Sequence, residues 1–103
     1  MKYYSVEISA ENQAQADTIL NALLAQKLVT GGQFITTPAR FLWEGKVTDV
    51  DYVTINSFTT ENKKSKIVEV VEANAEEDVP MVRFTEFEGN NKLTAWISRT
   101  LES

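Results

Sequence analysis

The sequence predicts an α+β domain: two split β-α-β units building one antiparallel four-stranded sheet, with an extra helix at the C-terminal end. Three features lead there. Apolar residues recur with period two, then at helical spacing, in the order strand, helix, strand, strand, helix, strand, helix. Each change of period carries its own Gly, Pro, Asn, Ser or Thr punctuation. The length of 103 residues with 43% hydrophobic side chains suits a single domain over 1–103 with a modest core.

Residues 3–8 alternate, Tyr4, Val6 and Ile8 on one side and Tyr3, Ser5 and Glu7 on the other, as a strand with one core face does. Ser9 offers a hydroxyl to cap the following helix. Over 10–28, Ala16, Ile19, Leu20, Leu23, Leu24 and Leu28 form a stripe opposite Glu11, Asn12, Gln15, Asn21 and Gln26. Gly31-Gly32 reads as the helix stop, because glycine accepts the left-handed geometry of a helix end. A phosphate-cradling loop would place its glycines ahead of a helix instead. Residues 33–47 read as a long second strand, with Pro38 marking an edge position or a bulge. The third strand, 51–60, turns Val53 and Ile55 to one face and Tyr52, Thr54 and Phe58 to the other.

Thr59-Thr60 are suited to cap a second helix over 61–74, whose Ile67, Val70 and Val71 form a core stripe. Ala75-Glu76-Glu77-Asp78 is an acidic connection, and Val79-Pro80 opens a fourth strand running through Phe87. Gly89-Asn90-Asn91 then turns into a last helix with Leu93, Trp96, Ile97 and Leu101 on one side, Trp96 reading as core. This order is the ferredoxin-like βαββαβ arrangement plus one helix. Two helices cover one sheet face. The other carries Tyr3, Tyr52, Phe58 and an aromatic of the long strand, a surface that calls for a partner or a ligand.

The stretch 40–47, Arg-Phe-Leu-Trp-Glu-Gly-Lys-Val, concentrates that demand. Phe41 and Trp43 point the same way along a strand while Leu42 points the other, so neither face is wholly polar. Gly45 marks a bulge or the turn of a hairpin. Trp43 can anchor an interface or line a ligand cleft. Lys46 beside Glu44 forms at most a weak surface pair.

Composition removes many chemistries. With neither Cys nor His, the chain has no disulfide, no thiolate nucleophile, no imidazole base and none of the usual transition-metal ligands. A net charge of −5 opposes phosphate binding, and no aromatic RNA-stacking motif accompanies the sheet, so nucleic acid is not an expected partner. A small phosphatase of the acylphosphatase kind needs an Arg in the first strand–helix loop, which here reads Ser9-Ala10-Glu11-Asn12. No apolar run is long enough to span a membrane and no leader pattern opens the chain, which predicts a cytoplasmic protein. Glu76, Glu77 and Asp78 offer oxygens to a hard divalent cation or simply form a solvated loop.

Phe41-Leu42-Trp43-Glu44-Gly45-Lys46 resembles the Tyr-Trp-Trp-Glu-Gly-Lys signature of the CutA divalent-cation tolerance family. Lys27-Leu28, Thr59-Thr60, Val79-Pro80 and Glu88-Gly89-Asn90 fall where that family carries similar landmarks, from Tyr4 to Leu101. The resemblance implies a PII-like protomer in a homotrimer, with long strands pairing between subunits, linked to tolerance of divalent metals and without a defined enzymatic reaction. It implies Phe41, Trp43, Glu44, Lys46, Thr59 and Thr60 as interface or ligand-cleft residues. A PII-like sensor holding a small molecule between subunits is the alternative. The departures bear on metal: Gly31 stands where the family has Cys, Phe58 replaces a Lys, and Ala75-Glu76-Glu77-Asp78 replaces His-Pro-Tyr-Glu. Only Asp78 remains from that run as a metal ligand, no cofactor is expected, and any divalent cation would bind weakly.

Overall fold

The alternation of apolar side chains decides which sheet face is covered. In the computed structural model, which describes residues 1–102, the elements are β1 (Tyr3–Ala10), α1 (Gln13–Ala25), β2 (Gln33–Trp43), β3 (Lys46–Thr60), α2 (Lys64–Asn74), β4 (Val82–Phe87) and α3 (Asn91–Leu101). The strands lie in the order β2-β3-β1-β4, every neighbour antiparallel. This is the α+β arrangement expected. Val6 and Ile8 of β1 and Val53 and Ile55 of β3 pack with Ala16, Ile19, Leu20 and Leu23 of α1 and with Ile67, Val70 and Val71 of α2. The helix α3 lies across the opposite, open face, where Ser98 Oγ meets the Tyr3 hydroxyl at 2.7 Å. Its Ile97 and Leu101 are buried outside the main cluster.

Several boundaries differ from the sequence reading, each for a local reason. Ser9 does not cap α1, because β1 runs on to Ala10; Asn12 caps it, its Oδ1 accepting from the Gln15 N–H at 2.9 Å. The helix stops at Ala25 rather than at Gly31-Gly32. There Lys27, with φ 54°, supplies the left-handed residue, and the Lys27 and Leu28 N–H groups bond back to the Leu24 and Leu23 carbonyls. Gly32 serves close approach instead: a Cβ there would lie 2.8 Å from Leu20 Cδ2 and 3.0 Å from Ile55 Cγ2.

The long second strand expected over 33–47 ends at Trp43. Glu44 and Gly45, with φ 49° and 79°, form a two-residue turn, and β3 begins at Lys46. Positive φ at both central residues is what a type I′ hairpin turn requires. Pro38 lies on the outermost strand, where a missing N–H is tolerated. A 3-10 turn over Glu61–Lys63 precedes α2, and Thr60 makes no side-chain cap, its hydroxyl donating to Asn62 Oδ1 instead. The Val79-Pro80 pair stays in the connection because pairing with β1 starts only at Val82. Trp96 is no core residue: it stands 39% exposed beside the open face.

Candidate functional site

The register positions the candidate residues. β1 pairs with β3 only over residues 53–60, so 46–52 of β3 have β2 as their sole neighbour. A two-stranded ribbon therefore projects from the sheet, closed by Glu44-Gly45. Such ribbons are marginal by themselves. This one exposes apolar groups on both faces: Phe41 and Trp43, 41% and 44% exposed, share the open-face side, while Leu42 and Val47, 73% and 71% exposed, share the other. Trp43 pairs directly with Lys46 across the turn. Arg40 Nε contacts Asp49 Oδ1 at 2.6 Å, aligning the strands with little stabilisation because both side chains are solvated. The Phe41 and Tyr52 rings approach to 6.2 Å between centroids.

Phe41, Trp43, Glu44 and Lys46 thus gather at one tip, whereas Thr59 and Thr60 lie at the far end of β3. Both threonines are buried, and the Thr59 hydroxyl donates to the Leu28 carbonyl at 2.7 Å, tying β3 to the segment after α1. Asp78 is exposed in the acidic connection. Its neighbours are bound inward: Gln15 Oε1 accepts from the Glu76 N–H at 2.7 Å, and Ser9 Oγ donates to Glu77 Oε1 at 2.7 Å while accepting from the Met81 N–H at 2.8 Å. Among the described residues, no three carboxylates converge as a metal site would need.

The open face carries the aromatics expected there, Tyr3, Tyr52, Phe58 and Phe41 of the long strand, joined by Phe87, but in two separate groups. Tyr3, Phe58 and Phe87 cluster at one end beside α3, with ring centroids 5.3–6.5 Å apart, and Phe41 with Tyr52 forms a second group towards the ribbon. Between them Gln33, Asn56, Glu7 and Arg83 face one another across all four strands. Glu7 and Arg83 form an ion pair at 3.0 Å. Sequence reasoning missed this polar row because it exists only in the register; its one signal was a polar residue at an outward position in each strand.

On the helix-covered face, at the end of β3 away from the ribbon, Glu61 accepts the Tyr4 hydroxyl at 2.9 Å and the Lys64 ammonium at 3.1 Å. The Lys64 hydrogen bond, reinforced by that of Tyr4, holds the Glu61 carboxyl below its ordinary pKa. Burial, assisted by Glu61, pushes the Tyr4 phenol up, and the bond to Glu61 raises Lys64. These groups fasten α2 to the sheet.

With this geometry in view, comparison with known proteins is decisive. The family model for the CutA1 divalent ion tolerance protein matches residues 4–100. The chain belongs to the CutA1 family. Among solved CutA1-type structures, the Archaeoglobus fulgidus protein, described as a periplasmic divalent cation tolerance protein, superposes with a TM-score of 0.92 at 23% identity, covering 97% of this chain and 99% of that one. CutA1 from Oryza sativa gives 0.91 at 24% identity, covering 97% and 94%. The divalent cation tolerance protein of Thermus thermophilus gives 0.87 at 24%, covering 92% and 94%. At these identities the likeness establishes the fold. No relative of curated function matches the chain. Within the CutA1 frame this member has Gly31 in a loop where its carbonyl accepts the Ser57 hydroxyl, and no helix among the described residues is long and apolar enough to cross a membrane.

Proposed function

We propose that this CutA1 member is a non-enzymatic, self-assembling protein of divalent-cation tolerance, working as a homotrimer whose own metal affinity is weak. The observation that carries the reading is the ribbon. It exposes Phe41 and Trp43 on one face and Leu42 and Val47 on the other, each between 41% and 73% exposed. A surface of this kind belongs inside an obligate interface, which commonly buries more than about 2,000 Å² and resembles a divided core. Phe41 and Trp43 act there as anchors, and Glu44 and Lys46 form the polar tip. Weak metal affinity follows from a chain without Cys or His, whose carboxylates are hard ligands matched to Mg or Ca rather than to copper. The absence of imidazole and thiol likewise leaves few groups that titrate near neutrality for acid–base catalysis.

Light scattering in dilute solution is the test. The expected mass is three times the 11.6 kDa protomer, and a monomer at micromolar concentration contradicts the reading. Trp43→Ala then probes the anchor. Aromatic hot spots at interfaces contribute about 2 kcal/mol or more each, so the variant should dissociate on a hundredfold dilution that leaves the parent intact.

A further inference from the structure

The row Gln33, Asn56, Glu7, Arg83 crosses the middle of the open face, on the side of the sheet that also presents Phe41 and Trp43. In the homotrimer proposed above, that face turns towards the other copies. The centre of an interface is ordinarily depleted of charge, so an ion pair and two carboxamides there call for a reason.

Three observations supply one. Asn56 Oδ1 is buried without a hydrogen-bond partner among the described residues, in the floor of a cavity of about 530 Å³ between α3 and the loop entering β2. A buried acceptor in that state is unfavourable until a donor meets it. Donors stand close by in the row. Arg83 places one nitrogen of its fork 3.0 Å from Glu7 Oε1 and is otherwise largely solvated, and Gln33 is exposed. None of them reaches Asn56 Oδ1 within one chain. Finally, the row is electrically neutral, one carboxylate against one guanidinium, in a chain of net charge −5. Copies of an acidic protein can meet there without setting like charges against each other.

We propose that this row is the polar lock of the assembly. It is buried between copies, Asn56 Oδ1 accepts from the row of a neighbouring copy, and the pattern admits one register and one number of subunits. The inference rests on the homotrimer reading. The apolar side chains of the ribbon supply adhesion, whereas a polar position in an otherwise apolar interface selects register and oligomeric state at a cost in stability. A slipped or miscounted assembly leaves Asn56 unmet or parts Glu7 from Arg83, and is rejected for that reason.

Native mass spectrometry and sedimentation across a hundredfold dilution test the lock on the full chain. The row lies outside the main core, so its variants should fold, and a retained dispersed NMR spectrum checks that they do. Arg83→Met leaves Glu7 without its partner and should raise the dissociation constant roughly tenfold or more, as truncating one member of a buried charge pair does. Glu7→Met combined with Arg83→Met should restore tight association. Adding Asn56→Leu to that pair should keep the association tight but yield a mixture of oligomers in place of a single trimer. A parent that never assembles defeats the homotrimer reading and this inference with it. A trimeric parent whose Arg83→Met variant associates as tightly, or whose triple variant remains a single trimer, defeats the lock alone.

Discussion

Glu61 shows how much a single residue here depends on its surroundings. Its carboxylate is stabilised in the folded state by Lys64 and Tyr4, so its folded pKa lies below the unfolded one. Stability from this group is therefore present above the unfolded value, about pH 4.3, and is lost as pH falls through the lower folded value. We expect the melting temperature of the parent to exceed that of Glu61→Gln at pH 7, with the gap closing in acid. An equal gap at pH 7 and pH 3 would show that Glu61 acts through shape alone. Lys64 and Tyr4, both raised, work in the other direction: their contributions hold below about pH 10 and fade as alkali removes their protons. The Lys64 ammonium also lies 4.2 Å from the Tyr4 ring centroid, so Lys64→Met should cost more than a surface ion pair would.

At the scale of elements, the hairpin ribbon is separable from the core. Gly45 at φ 79° closes it. Gly45→Val forces a β-branched residue into the left-handed region and should destabilise by roughly 1–2 kcal/mol, whereas Gly45→Asn should be nearly neutral. Denaturant midpoints of the two variants check this, and equal midpoints contradict the turn assignment. The main core contains no residue between 30 and 52. Thr37 and Tyr52 face each other, so an Asn-Gly turn joining them removes the ribbon without breaking register. The shortened protein should retain a dispersed NMR spectrum and be monomeric at every concentration. Collapse of the spectrum would mean that the ribbon supports the fold itself.

For the whole molecule, the ribbon sets the shape. Principal extents of 44 × 25 × 21 Å describe a sheet drawn out along one axis by its ribbon. If the proposed homotrimer forms, its melting temperature should rise with protein concentration, because association stabilises by mass action. Copper is expected to find no site tighter than micromolar apart from the N-terminal amine, since only hard oxygen ligands remain. Calorimetry with that amine blocked checks it, and a submicromolar site would contradict the proposal of weak metal affinity.

The sequence by itself determined the element order, the helix-covered face and the doubly apolar stretch around Trp43. These rest on periodicity and local punctuation, and a side chain's parity in a strand does not depend on distant contacts. It also carried the family signature, legible in Trp43-Glu44-Gly45-Lys46 before any fold was known. Only the tertiary structure decided the rest. It stopped α1 at Ala25 through Lys27, kept Ser9 in the sheet to bind Glu77 and Met81, and buried Thr59 against Leu28. It placed Trp96 at the rim of a cavity, although the same helical spacing puts Ile97 and Leu101 inside. The row Gln33, Asn56, Glu7, Arg83 comes from four strands far apart in sequence. Register between strands is set by the packing of the whole sheet, and one residue of slip would have scattered that row across both faces.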